Sequence, residues 1–285
     1  MIWAILSILS GFGDAVAFVS IKKLNNLNPY FVLGLRHISA LPFLLIGFLF
    51  YEIPDVAIGF YIVTLINVAI LLIAMLLLIK SLSMSDLSLS VPMLSFTPAF
   101  LLFTSYVMLN EYPNLMGFMG IIVTVIGSYI INIKYITKGY LEPFKKMLSD
   151  KGIFYMLIVA FLFSITSNLV KIGINMSNPA YFIFVDYLLA SIILLPAFLK
   201  EPKYTMKISK NLKWIFVLAV STAAMELLIS VAVNLAIIPY VLSLKRTSVI
   251  FSVILGFLLF REKNFNNALI GSAIMFAGAL LIMLS

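Results

Sequence analysis

Cysteine is absent from the 285 residues, which excludes disulfides, thiolate metal sites and thiol catalysis. Charge is scarce: 11% of residues are Asp, Glu, Lys or Arg, 63% are hydrophobic, and the mean hydropathy is +1.16. No water-soluble domain covers its surface with so few polar groups. There is a single His, His37, and no H-E-x-x-H, G-x-S-x-G or P-loop pattern, so the usual signatures of metal hydrolysis, serine hydrolysis and ATP-driven transport are missing. No cofactor or metal is expected. With 14 Gly and 11 Pro the chain is ordinary for membrane helices. What remains is an all-α integral membrane protein.

A helical span of a bilayer takes about 20 apolar residues. Apolar runs bounded by Pro, Asn and charge clusters predict ten transmembrane helices, at 2–21, 31–50, 58–79, 87–109, 115–133, 153–173, 180–199, 213–235, 237–260 and 266–284. The first run contains Ala15-Val16-Ala17, a signal-peptidase-like triplet, but no Lys or Arg precedes it, so it reads as a span. Between spans eight and nine, Pro239 is the expected helix breaker. Of the 19 Lys and Arg, 15 fall in the odd-numbered loops, while Arg36, Lys171, Lys245 and Arg246 fall inside spans. The positive-inside rule then makes the odd loops cytoplasmic and both termini outward. The net charge of +8 is thereby a topology signal and calls for no nucleic acid.

The chain repeats itself. Glu111, Gly120 and Gly127 recur as Glu262, Gly271 and Gly278, an offset of 151; Asn28-Pro29 and Ala40 recur as Asn178-Pro179 and Ala190, an offset of 150. Five spans per copy is an odd number, so the second copy sits inverted in the bilayer, the arrangement of alternating-access transporters. The organisation predicted is a first five-helix repeat at 1–134, a basic linker at 135–152 and a second five-helix repeat at 153–285.

The pattern of a Pro- or Ser-containing span, a Glu, a short polar stretch and a Gly-x6-Gly span, carried by Ser95 to Ile131 and again by Thr247 to Ile282, resembles the EamA repeat of the drug/metabolite transporter (DMT) superfamily. Val19-Ser20-Ile21-Lys22-Lys23 and Arg36 are similar to that family's first two helices. The resemblance covers nearly the whole chain and implies a secondary transporter or exporter of small metabolites, with a cavity between two five-helix halves. Many relatives have cytoplasmic termini; the charge count here puts them outward.

Charges inside a span cost about 2.5–3.5 kcal/mol each on insertion scales, so each asks for a partner, a cavity or a role. Lys245 and Arg246 lie about nine residues into span nine, roughly 13 Å deep, with Ser248, Ser252 and Gly256 following at helical spacing. A cation above small residues suits a substrate carboxylate or phosphate; an ion pair with Asp14 or Glu226 is the alternative. Leu244 to Val249 is similar to the ninth helix of plastid triose-phosphate/phosphate translocators, where a Lys-Arg pair holds phosphate, but such pairs also occur in relatives that carry none. Ser164, Asn168, Lys171 and Asn175 on span six, and Thr222, Glu226, Ser230 and Asn234 on span eight, form polar stripes that must face a cavity or other helices.

Asn67 and Ala74 on span three and Ser88, Pro92 and Ser95 on span four are expected to complete a site built by spans one, three, four, six, eight and nine. Asp14, with Ser7 and Gly11 on its face, and Glu226 are the candidates to carry a proton or a counter-charge. Arg36, Lys171 and Asp186 read as anchors, with Lys171 and Asp186 placed to pair. His37 reads as uninvolved. Glu111 and Glu262 are expected to serve backbone N–H groups of the helix that follows each, and the paired glycines to bring helices close. Gly11-Phe12-Gly13-Asp14 spells the G-x-G-D of intramembrane aspartyl proteases, but no span precedes it to supply a second Asp.

The expected function is transport of a small anionic or zwitterionic metabolite, such as an amino acid or an organic or phosphorylated acid, across the plasma membrane. An exporter of hydrophobic cations or drugs, a scramblase or a channel is the alternative. The expected partners are that substrate and the lipid bilayer, without nucleic acid; a homodimer stays open.

Overall fold

The computed structural model describes residues 2–85, 90–131, 150–200, 204–260 and 265–284, and among these every regular element is helical. In chain order they are α1 (Ile2–Lys23), α2 (Pro29–Leu44) running into a 3₁₀ turn (Leu45–Leu49), α3 (Ile58–Met84), a 3₁₀ segment (Val91–Phe96) leading into α4 (Thr97–Leu109), and α5 (Leu115–Ile131). The second set is α6 (Lys151–Asn175), α7 (Pro179–Leu199), α8 (Tyr204–Leu235), α9 (Ile238–Lys245), α10 (Ser248–Phe260) and α11 (Phe265–Leu284). Seven helices, counting α2 with its 3₁₀ turn and α9 with α10 as one each, are long and apolar enough to cross a membrane. The runs expected at 87–109, 115–133 and 266–284 hold shorter apolar helical stretches.

Local chemistry sets the boundaries. Asn28 and Asn178 each accept a backbone N–H at the start of the next helix, from Tyr30 and Tyr181 at 2.9 Å, with Pro29 and Pro179 in the first turn. The repeated Asn-Pro is therefore a duplicated N-cap, since Pro at that place has no N–H to leave bare. Asp150 caps α6 through Gly152 and Ile153. α4 ends on Asn110 in the left-handed region, φ 54°, which Asn tolerates better than other side-chain-bearing residues. Asn110 and Glu111 then donate their N–H groups to Tyr106 and Ser105.

Pro239 lies at the expected boundary, in the first turn of α9 after α8 ends at Leu235, where its missing donor costs nothing. Two expectations change. Span nine is divided again at Arg246-Thr247, between α9 and α10. And α8 starts at Tyr204 rather than 213; its 32 residues reach about 48 Å, longer than the roughly 30 Å hydrocarbon core, and its first turns carry Lys207, Lys210 and Lys213. Most of the basic linker lies outside the described residues.

Helices related by the repeat pack antiparallel. On α5 and α11 a Cβ added to Gly120 would meet the Gly278 carbonyl at 2.7 Å, and one added to Gly127 the Gly271 carbonyl at 2.7 Å. The glycines are there because backbone fills the space, as the sequence predicts. The repeat also carries one pair of helices onto another: α1 packs on α8, with Ser10 donating to the Met225 carbonyl at 3.0 Å, and their counterparts α6 and α3 pack on each other, with Ser81 donating to the Gly152 carbonyl at 2.7 Å. Between α2 and α7, Phe31 stacks on Phe198 at 4.8 Å, and the residues 150 positions away from each, Tyr181 and Phe48, meet edge-on at 6.5 Å. His37 and Tyr187, which the same offset exchanges, lie ring to ring at 4.8 Å. An approximate two-fold axis passes between them. The divided helices obey it too: Thr97, where α4 begins, and Ser248, where α10 begins, differ by 151.

Candidate functional site

Around that axis lies a cavity of about 90 Å³ walled by α1, α2, α3, α6, α7, α8 and the C-terminal end of α9. That is room for several waters and less than the roughly 300 Å³ from which ligand pockets usually start. Phe18, Leu71, Met75, Leu78 and Phe163 give it an apolar wall; Asp14, Arg36, Asp186, Glu226, Lys245 and Arg246 bring six ionisable groups to it.

These groups form three sets. Arg36 Nη2 donates to Glu226 Oε1 at 3.3 Å and to the Tyr187 hydroxyl at 3.2 Å, and that hydroxyl donates to the same Glu226 oxygen at 2.9 Å. Lys245 Nζ lies 3.9 Å from Asp14 Oδ2. Its position is fixed by backbone, because Gly11 of α1 abuts the Lys245 carbonyl, where a Cβ would come within 2.7 Å. Gly13 likewise seats α1 on Met225 of α8, so both glycines of Gly11-Phe12-Gly13-Asp14 are packing positions. The third set is Asn67 Nδ2 donating to Asp186 Oδ1 at 2.7 Å.

Arg246 stands apart. It is 2% exposed, lines the cavity, forms no ion pair among the described residues, and its Nε has no hydrogen-bond partner. The chain folds this way because α9 ends at Lys245: residues at the break project at the centre of the bundle, and the first N–H groups of α10 begin beside them.

Of the residues the sequence singles out, Lys245, Arg246, Glu226, Asn67 and Asp14 meet in the cavity. Ser248, Ser252, Ser230 and Asn168 are buried but do not line it. Ser248 follows the break against Gly11 of α1, Ser230 donates back to the Leu227 carbonyl, and Asn168 is held by Ser105 at 2.7 Å and by its own donation to the Ser164 carbonyl. The side chains of Pro92 and Ser95, and all of Ser88, lie outside the described residues. α4 supplies no cavity residue among those described, whereas α2 and α7 do.

Arg36 and Asp186 tie helices together, through Glu226 and Tyr187 and through Asn67, and line the cavity as well, and His37 is fully buried against Tyr187. The signal that pointed to them was already in the sequence: two intramembrane charges at equivalent positions of the two repeats, on the helices nearest the axis. Lys171 does not pair with Asp186. It pairs with Glu111 and donates to the Ala236 carbonyl at 3.0 Å. Glu111 serves a helix N-terminus, as expected, but that of α9, through the Ile238 N–H at 3.0 Å; the following helix, α5, is instead served by Asn114, which accepts from Gly117.

A bundle of apolar helices in two repeats, with a cavity at its centre to which six ionisable side chains converge, is the architecture of a polytopic membrane protein. The chain belongs to the EamA-like transporter family, whose model matches residues 1–133 and again residues 150–284. It is accordingly a membrane transporter of the DMT superfamily, a superfamily of transporters rather than enzymes. No curated protein matches the sequence. Among solved structures, one crystal structure resembles it with a TM-score of 0.70 at 12% identity, over 99% of this chain and 95% of that one. At that identity the likeness establishes the fold.

Proposed function

We propose that the chain is a secondary transporter of the plasma membrane that carries a small anionic or zwitterionic metabolite by alternating access. It does so with ten spans in two inverted halves, odd-numbered loops in the cytoplasm and both termini outside. The observation that carries this reading is Arg246: a buried guanidinium lining the cavity with no ion pair among the described residues, which shares the field of the single carboxylate Asp14 with Lys245. Two cations against one carboxylate leave positive charge in a low-dielectric interior, so a substrate carboxylate or phosphate that neutralises it gains electrostatically, and guanidinium offers a bidentate fork. Lys245 adds a second cation. The apolar wall receives the body of the solute, and the Glu226 and Asp14 carboxylates on the same cavity favour a zwitterion's ammonium group. The cavity is smaller than most ligand pockets, so it must widen to load.

The test is thermal stabilisation of the detergent-purified protein by amino acids, organic acids, phosphorylated sugars, nucleosides and cationic drugs. A ligand at 100 times its Kd adds about 2.7 kcal/mol to the folded state. Stabilisation by one acidic or zwitterionic class, lost in Arg246→Gln and Lys245→Gln, supports the reading. Stabilisation by hydrophobic cations alone, unchanged in both variants, replaces it with a drug-exporter reading.

A further inference from the structure

Asp186 is 2% exposed and faces the cavity, yet no cation lies within ion-pair distance of it among the described residues; its one hydrogen bond comes from the Asn67 amide. The groups around it are all accounted for. From α2 come Arg36, already held by Glu226 and Tyr187, and His37, packed on the Tyr187 ring; α7 itself supplies Tyr187. From α8 comes Glu226, a charge of the same sign as an ionised Asp186. α1 and α9 bring Asp14 and Lys245, which are near each other, and Arg246. α3 contributes only the neutral Asn67, and the cavity residues of α6 are uncharged.

Asn67 supplies the second observation. Its Oδ1 is buried and accepts no hydrogen bond among the described residues. An ionised carboxylate only accepts, so it satisfies the Asn67 NH₂ and leaves that oxygen bare. A protonated carboxyl is both donor and acceptor, and matches a primary amide group for group. A bare buried acceptor costs about 1–3 kcal/mol.

We infer that Asp186 is the proton-binding carboxyl of this transporter, held as a neutral acid against Asn67. The cavity that contains it then carries three cations, Arg36, Lys245 and Arg246, against two anions, Asp14 and Glu226. It has a net charge of +1 and selects a solute of net charge −1. The inference rests on the anion reading for its solute but not for its proton. The proton is bound or lost at Asp186 as H⁺ alone: the O–H bond breaks when the Asn67 pair opens to water, the carboxylate keeps the electron pair, and the charge that made the cavity attractive to an anion is cancelled. Proton and anion are thereby linked.

Infrared difference spectroscopy of the purified protein through a pH titration reads this directly. A protonated-carboxyl C=O stretch is expected in the wild type and lost in Asp186→Asn, a neutral substitute that keeps the Asn67 acceptor. It remains in Asp14→Asn and Glu226→Gln, and shifts in Asn67→Leu as its hydrogen bonds go. Benzoate, an apolar monoanion, is the binding probe: its affinity should fall about tenfold per pH unit above the titration of that band, and become independent of pH in Asp186→Asn. A band that survives Asp186→Asn, or is absent from the wild type, overturns the inference whatever benzoate does. A band lost in Asp186→Asn with no benzoate stabilisation in any protein upholds the proton site and sinks the anion reading instead.

Discussion

The Glu111–Lys171 pair ties the α4–α5 turn of the first repeat to α6 and the start of α9 in the second, and its strength can be worked out from its surroundings. The two side chains are 16% and 13% exposed, so the pair is shielded but not sealed. Removing one partner of a fully buried pair costs about 3–5 kcal/mol; with this residual exposure about 2 kcal/mol is expected. Glu111→Gln keeps an acceptor for the Ile238 N–H and removes only the charge, leaving Lys171 with the Ala236 carbonyl. Lys171→Met keeps the length of the stem and leaves the Glu111 carboxylate with one N–H. Each single variant should lose about 2 kcal/mol. The double variant, with no charge left unmatched, should lose little more than either, giving a coupling of about 1.5–2 kcal/mol. Reversible unfolding in mixed detergent micelles, followed by circular dichroism, measures all four corners of the cycle. Additive single losses, with coupling below about 0.5 kcal/mol, would refute the argument and reduce the pair to a solvated surface contact.

Other expectations follow from the packing. Gly127→Ala places a Cβ within 2.6 Å of the Met275 backbone and should cost about 1–3 kcal/mol, whereas Gly59→Ala meets only the flexible tip of Met176 at 3.2 Å and should be near neutral; melting of the two variants side by side checks the difference. Tyr187→Phe removes the hydroxyl between Arg36 and Glu226 and should destabilise by about 1–2 kcal/mol in the same unfolding assay. Asn178→Ala loses both the α7 cap and a donation to the Glu52 carbonyl, so it should cost more than Asn28→Ala, which loses a cap worth about 1 kcal/mol; equal losses would show that the Glu52 contact contributes nothing.

The positions of most helices were legible because a bilayer punishes every exposed backbone polar group, so apolar length and capping residues are strong signals. The Gly120–Gly278 contact was legible for a related reason: glycines seven apart on two helices have little use except close approach. The site was legible only in part. Lys245, Arg246, Asp14, Glu226 and Asn67 announced themselves as polar atoms in apolar runs, but so did Ser230 and Asn168, which satisfy themselves against backbone or a neighbouring hydroxyl, and Ser248, which is buried away from the cavity. Helical spacing says that residues share a face and not what the face meets. Arg36 and Asp186 were read only as anchors because a charge near a helix end pairs readily, while the packing of α2 and α7 at the axis brings both to the cavity. The break after Lys245 carries no Gly or Pro, so nothing local marks it; only its counterpart before Thr97 does.

The aromatic pairs at the two ends of α2 and α7 occupy positions that the repeat exchanges and yet differ in shape: Phe31 and Phe198 lie stacked at 4.8 Å, Phe48 and Tyr181 edge-on at 6.5 Å. One clasp is shut and its twin is looser. Under the alternating access proposed above, the two clasps would trade places, the loose one tightening as the tight one lets go, on either side of the His37–Tyr187 ring pair. The charges do not follow: Ser164 stands where Asp14 would be repeated and Ser95 where Arg246 would. The scaffold is a balanced seesaw carrying an unequal load: its helix contacts recur in exchanged pairs, and its cavity charges do not.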